Sequence, residues 1–290
     1  LVFLSYSNTL WPPTKEKIEN KYGNLIFMFA PITRCFLHSL ADTKCGEPTS
    51  FQPPPRNKAV WPRTNYEHVQ LMGGWQKGCD TDSFIFDYHF GHMLNFFEGD
   101  VSKVLWRDIR NLQALGMNGI DSCQALRAFY PTGIPMAVLA RTLWNNKVSF
   151  EEIKNHYLKA AFGEDAPFVS EYLQKIYSFV DPAENYEHRD MFLTADPNKL
   201  RELLEFVKES RPRLEEIAEK KKTPAQKKSV YYLLHHNTYV RLILEAALLN
   251  SKGEKEEARA KIDEALKPVS YTHLRAHETR HDLVCRLLLE

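Results

Sequence analysis

Residues 83–93, SFIFDYHFGHM, decide the fold class, because a near-continuous apolar run is followed by polar side chains at its carboxyl end. A run of this kind at 84–89 predicts a strand that is buried on both faces, as in a parallel sheet. Similar runs occur at residues 1–7, 25–30 and 119–123. Because parallel α/β folds carry function at the carboxyl ends of their strands, those ends are where candidate site residues are expected.

Helical stretches at about residues 65–78 and 101–116 separate the last three strand-type runs. The resulting β-α-β-α rhythm is typical of either a barrel or a doubly wound sheet. After Thr132 the strand signal ends. Six helices are predicted from there on, at about residues 135–145, 150–163, 166–180, 197–220, 224–252 and 254–267.

A long, proline-rich segment covers residues 31–64, between the second and third predicted strands. Loops of this length without secondary structure usually act as lids or binding loops. We therefore expect this segment to border a binding site.

The two ends of the sequence predict a piece of a longer protein. Residue 1 is Leu, and a strand-type run begins there at once, without a cap or a targeting segment before it. Residues 269–290, which begin VSYTHLRAHET, read as a translated sequencing adapter. We expect this tail to contribute nothing to fold or function.

Composition excludes several partner classes. The chain has 290 residues, 43% of them apolar, and a formal net charge of +1 with basic and acidic residues interspersed, so neither a nucleic-acid partner nor a membrane surface is expected. No apolar run is long enough to span a bilayer. The four cysteines before the tail form no C-x-x-C pair, which argues against a zinc site or a disulfide framework. Thiols fit a reducing compartment, which slightly favours the cytoplasm, but the location stays open because a signal peptide could precede residue 1 in the longer protein.

Asp87 and His89 are the leading candidates for catalysis. They are two residues apart near the end of a strand and therefore share one face, whereas Tyr88 lies on the other. A carboxylate and an imidazole at a barrel mouth can transfer protons or bind sugar hydroxyls. The alternative is that the two side chains only satisfy each other and nearby backbone groups. His89 and His92 also form an H-x-x-H pair, but without a third ligand at a suitable spacing no metal and no cofactor are expected.

Polar residues also follow the second and fourth strand-type runs. Arg34 and His38 come after the second, where a guanidinium can bind a carboxylate, although Arg34 could equally cap a loop carbonyl. Asp121, Gln124 and Arg127 belong to the last run and the residues after it. Asp121 would be the second acid of a two-carboxylate mechanism, and the alternative for it is a helix N-cap.

Aromatic residues near the strand ends could stack on sugar rings. Tyr6 lies near the end of the first strand-type run, Tyr88 lies near the end of the third, and Trp61 lies in the proline-rich segment. With Arg34, His38, Gln124 and Arg127, these aromatic residues are the predicted substrate-binding set.

Five stretches together carry a resemblance to a known family: LSYSNTLWPP, FMFAPITRCFLHSL, FDYHFGHM, DIRNLQALGMNGIDSCQALRAFYPTGIPM and ARTLWN. In this order they resemble the bacterial family called domain of unknown function 4838, over residues 1 to about 181. That family is similar to (β/α)8 glycoside hydrolases, with distant kinship to β-hexosaminidases and α-glucuronidases, and its members often lie among carbohydrate-processing genes. It provides no catalytic residues that could be transferred to this chain.

Pattern and resemblance together predict an α/β fold, with the carboxyl-terminal half of a (β/α)8 TIM-type barrel at residues 1–148 and an α-helical bundle at 149–268. The predicted function is glycoside hydrolysis through two carboxyl groups, on a glycan or, given Arg34, an acidic sugar. One alternative is a non-catalytic glycan-binding barrel. Another is a metal-dependent hydrolase that uses His38, His89 and His92.

Overall fold

The structure is a computed structural model that describes residues 1–42, 45–46, 58, 60–90, 101–124, 130–179, 196–220 and 223–265. The chain divides into two compact units. The first unit comprises Leu1–His92, Asp100–Ala125 and Pro135–Ile153, and the second comprises Met93–Gly99, Leu126–Ile134 and Lys154–Glu290. The predicted tail, 269–290, lies outside the described residues.

The first unit contains one four-stranded sheet in which every neighbouring pair of strands is parallel. Its strands are β1 (Val2–Ser5), β2 (Ile26–Phe29), β3 (Asp82–Phe90) and β4 (Ile120–Gln124). The sheet order is β1-β2-β3-β4, the order of the strands along the chain. The predicted α/β class and its four parallel strands are therefore confirmed.

Three helices follow strands of this sheet: α1 (Asn65–Gly78), α2 (Val101–Asn111) and α3 (Ile134–Trp144). Thr64 caps α1, since its side chain accepts from the Glu67 amide while the Glu67 carboxylate accepts from the Thr64 amide. The prediction that α2 extends to residue 116 was wrong at its end. Gly116 has a φ of 71°, a left-handed conformation that suits glycine, and it closes a turn after Asn111.

The two faces of the sheet have different environments. One, the helix face, carries Phe27, whose ring stacks on Trp75 of α1 with 5.5 Å between the centroids. Phe29 on the same face meets His68 of α1 edge-on at 6.2 Å. The opposite face, the open face, includes Leu4 and Ile26, which are 37% and 40% exposed. Since side chains alternate along a regular strand, a strand residue can be assigned to one of these faces wherever the register is unbroken.

A register shift marks the carboxyl end of β3. Asp87 pairs with Ser122 of β4, but the next pair joins Phe90 to Gln124, so β3 carries one extra residue between these pairs. Such a bulge re-aims the side chains around it. His89 and Phe90 are consequently both buried, although they are adjacent in sequence.

Every element described in the second unit is helical. The chain continues from the first unit through α4 (Phe150–Phe162) into α5 (Ala166–Tyr177), α6 (Pro197–Lys220) and α7 (Pro224–Ser251), with further helix at 255–265. Asn237 of α7 donates to the Val207 carbonyl of α6 at 2.7 Å, which ties the two long helices together. No helix in the described part of the chain is long and apolar enough to cross a membrane.

Candidate functional site

A buried ion-pair cluster lies on the helix face of the sheet and consists of Arg34, Asp87, His89 and Asp108. One guanidinium nitrogen of Arg34 donates to Asp87 at 2.8 Å and another donates to Asp108 at 2.7 Å. His89 Nε2 lies 3.1 Å from the same oxygen of Asp108. None of these side chains is more than 3% exposed. The cluster is therefore held almost completely away from water.

Three parts of the chain converge to build this cluster. Arg34 lies in a turn just after β2, closed by the bond from its amide to the Pro31 carbonyl. Asp87 and His89 both extend from β3 toward the helices. Asp108 extends from α2, and its second oxygen accepts from the Ser39 hydroxyl at 2.6 Å and the Leu40 amide at 2.8 Å. The turn after β2 is thus bonded to a helix more than seventy positions further along the chain.

The charges in the cluster stabilise one another. Burial alone would raise the pKa of Asp108, but Arg34, His89 and Ser39 together lower the pKa of Asp108 to about 2. Burial likewise opposes the charge on Arg34, and the two carboxylates outweigh it and raise the pKa of Arg34. Because an ionised carboxylate can only accept, His89 Nε2 carries the proton in the bond to Asp108.

The predicted residues Asp87, His89 and Arg34 do come together, but on the helix face. Asp87 is fully buried, and its oxygens accept from Arg34 and from the Tyr88 amide. Asp87 and His89 do contact each other, with His89 Nδ1 3.4 Å from an Asp87 oxygen, but each also binds a further charged partner, Arg34 for Asp87 and Asp108 for His89. The geometry favours a structural role for the cluster, and the catalytic role of Asp87 and His89 stays a prediction. The same holds for Arg34 as a ligand for an acidic sugar.

A second group of predicted residues gathers on the open face. Tyr88 packs edge-on against Phe86 with 5.3 Å between the ring centroids. Burial, followed by the neighbouring Tyr6 and Cys123, raises the pKa of Tyr88 to about 12. The Tyr6 and Tyr88 side chains are hydrogen bonded. Tyr6, just after β1, and Tyr88, on β3, thus lie close to each other near the carboxyl edge of the sheet.

Asp121 lies on this same open face. It pairs with Phe86 in the sheet register, and its side chain is exposed to solvent. One carboxylate oxygen accepts from the Ser122 amide at 2.8 Å. The alternative role of Asp121 as a helix N-cap was wrong, because the residue is inside β4. An exposed carboxylate on the face of the two tyrosines is available to a ligand.

The remaining predicted residues are dispersed. His38 lies in the turn region after β2, with Nδ1 3.2 Å from Cys35 Sγ. Trp61 is 39% exposed. Arg127, His92 and the side chain of Gln124 lie outside the described residues, so their predicted roles stay predictions.

Sequence reasoning missed Asp108. The sequence pattern could have indicated it, because Asp108 lies at helical spacing from the apolar residues Val101, Val104 and Leu105 and so shares one face of α2 with them. A lone acid on an apolar helical stripe indicates a buried partner of opposite charge.

Two sets of described side chains have metal-ligating atoms within 4.8 Å of one another. The first is Asp87, His89 and Asp108, where the Arg34 guanidinium already supplies the positive charge between the carboxylates. The second is Cys35, His38 and Cys45. Softer sulfur and nitrogen ligands of this second kind suit Zn²⁺.

No protein-family model matches the chain, and comparisons with curated proteins and with solved structures find no match either. The resemblance to the domain of unknown function 4838 family accordingly stays a prediction. What the chain does must be argued from the geometry of its own residues.

Proposed function

We propose that the first unit is part of a (β/α)8 barrel of a carbohydrate-active protein, a glycoside hydrolase similar to the domain of unknown function 4838 family. The strand order supports the barrel, because a doubly wound sheet reverses its order at a switch point, whereas β1 to β4 run consecutively. In a barrel the helix face of the sheet is the outside and the open face is the interior. The helical second unit is then the helical bundle that follows the barrel.

The observation that carries the proposal is the combination of aromatic and acidic side chains near the carboxyl edge of the open face. The rings of Tyr6 and Tyr88 offer apolar surface for a sugar ring, and the exposed carboxylate of Asp121 can accept from hydroxyls or take part in proton transfer. In this proposal Asp121 is one carboxyl group of a two-carboxylate mechanism with an oxocarbenium-like transition state. The substrate is a glycan.

A non-catalytic glycan-binding barrel is the second candidate, and one observation favours it. In the carboxyl-terminal half of the sheet, Asp121 is the one carboxylate that the described strand residues place on the open face. The other acid of that region, Asp87, is bound to Arg34 on the opposite face. Hydrolysis through two carboxyl groups needs a second acid within about 5–10 Å of the first.

Binding of the glycan is tested first, by calorimetric titration of the protein with neutral and uronic-acid-containing oligosaccharides. Replacing Tyr88 by Ala should weaken affinity roughly 3- to 10-fold, the value of one lost aromatic contact. Tyr22→Ala is the matched control, because Tyr22 is 87% exposed and lies in the connection between β1 and β2. Equal affinities for the two variants, or no saccharide binding by the unmodified protein, would contradict the proposal.

Asp121→Asn separates the enzyme from the binder in the protein that carries the complete barrel. If Asp121 transfers a proton, kcat should fall by about 100- to 10,000-fold while affinity for the product changes little. An unmodified protein that binds the glycan but releases no product would identify the binding barrel.

A further inference from the structure

The turn region after β2 brings together three soft metal ligands that are separated in sequence. Cys35 and His38 have the spacing C-x-x-H, and Cys45 follows seven positions after His38. Cys35 and Cys45 are 1% and 0% exposed, and His38 is partly buried. This pattern contains no C-x-x-C pair, so the cysteine spacing alone does not predict a metal site here.

We propose that Cys35, His38 and Cys45 form a zinc site. Their ligand atoms all lie within 4.8 Å of one another, and Cys35 Sγ is 3.2 Å from His38 Nδ1. Ordinary Zn–S and Zn–N bond lengths place sulfur and nitrogen about 3.6 Å apart, and two sulfurs about 3.8 Å apart, around a tetrahedral ion. Small side-chain rotations satisfy these distances. Three protein ligands leave the fourth coordination position to water or another small ligand.

Asn65 at the start of α1 holds this constellation in place. Its side-chain oxygen accepts from the Cys35 amide at 3.0 Å, and its side-chain nitrogen donates to the His38 carbonyl at 2.8 Å. Its own backbone amide donates to the sulfur of Cys45. The Cys45 carbonyl in turn accepts from the Tyr66 amide at 3.0 Å. One residue thus binds all three ligand residues, as the outer partners of metal ligands do.

The charge balance of the site also suits zinc. Two thiolates and a neutral imidazole cancel the charge of Zn²⁺, so the loaded site is neutral and can be buried at little electrostatic cost. Without metal, the hydrogen bond with Cys35 and burial raise the pKa of the Cys45 thiol, while the bond from the Asn65 amide lowers it, so zinc must displace the thiol proton when it binds. Arg34 precedes Cys35, and the positive charge of Arg34 is attracted to the Cys35 sulfur.

The experiment starts from the 290-residue protein, purified with a reductant and treated with a chelator. We expect it to take up one zinc per chain. With Co²⁺ in place of zinc it should show the thiolate-to-cobalt charge-transfer and ligand-field absorption of a tetrahedral site. Both readouts use the unmodified protein, so they hold even if a variant fails to fold.

The variants Cys35→Ser and Cys45→Ser should each weaken zinc binding by more than the roughly 10- to 100-fold that loss of an outer partner costs. Cys79→Ser is the matched control, since Cys79 is also a buried thiol but belongs to neither candidate set. It should retain full zinc uptake.

Three results would overturn the proposal. The first is a reduced protein that gives no tetrahedral cobalt spectrum. The second is zinc uptake that survives both Cys35→Ser and Cys45→Ser. The third is a Cys35–Cys45 disulfide that, once reduced, yields thiols without zinc affinity.

Discussion

His68 shows how a single buried side chain in α1 makes folding sensitive to pH. It is 1% exposed, and Nε2 lies 3.3 Å from the Thr33 hydroxyl. Since Thr33 donates its hydroxyl proton to the Pro62 carbonyl at 2.6 Å, His68 Nε2 must be the donor to Thr33. Its other ring nitrogen has no hydrogen-bond partner. Burial, followed by the positive charge of Arg34, lowers the pKa of His68 to about 3 from an ordinary 6.5.

Folding stability should therefore fall on acidification. Below pH 6.5 the unfolded chain gains a proton at His68 that the folded chain does not bind, so unfolding becomes more favourable. The stability that the neutral His68 side chain contributes is fully present above pH 6.5. As the pH falls from 6.5 toward 3, the free energy of unfolding decreases by about 1.4 kcal/mol per pH unit. Urea denaturation of the protein and of His68→Gln at several pH values measures it. If the free energy of unfolding changed equally with pH in the two proteins between about pH 5 and 6.5, this account would be contradicted.

Asp108 is the residue whose loss should most damage the first unit. Asp108→Asn leaves the buried guanidinium of Arg34 with one carboxylate instead of two, and breaking a buried ion pair typically costs about 3–5 kcal/mol. Chemical denaturation of the two proteins measures the decrease in the free energy of unfolding. Glu202→Gln is the control, because Glu202 forms an ion pair with Lys175 at a similar distance of 2.8 Å but on the surface. Comparable losses for both variants would show that burial of the Arg34 pair contributes little.

At the scale of elements, most of the fold could be predicted from the sequence. Apolar runs located the four strands, since a strand buried on both faces needs few polar side chains. The exact end of α2 was missed, because the end depends on the left-handed conformation of Gly116.

The candidate site was harder to predict than the strands. Alternation along β3 correctly put Asp87 and Tyr88 on opposite faces, but it cannot say which face the helices cover. That depends on long-range contacts such as Phe27 with Trp75. The cluster also needed Asp108, which comes from another element, and no periodicity within β3 could indicate it.

The N-cap of α1 provides a prediction at this scale. Thr64→Ala removes the hydroxyl that accepts from the Glu67 amide at 3.3 Å, and such a loss costs about 1 kcal/mol. Thr64→Ser keeps the hydroxyl and should be nearly neutral. Denaturation curves followed by circular dichroism distinguish the two. Equal destabilisation by both variants would indicate that the methyl group of Thr64, rather than the cap, is what matters.

For the molecule as a whole, residues 269–290 are expected to be dispensable. This expectation rests on the prediction that the segment is a translated adapter, which selection would not have shaped to pack. Removing them should leave the free energy of unfolding unchanged within about 0.5 kcal/mol. Thermal and chemical denaturation of the shortened and full-length proteins make the comparison. A loss of several kcal/mol on truncation would show that the tail is a genuine part of the fold.

The consecutive strand order has a consequence for biosynthesis. Because each new strand pairs with the one made just before it, the sheet can grow in the order of translation, without waiting for a distant segment to return. The ion pair of Arg34 with Asp108 cannot form until Asp108 has been synthesised, which is after both β2 and β3. The buried guanidinium thus acquires its full set of partners only when α2 has left the ribosome and docked.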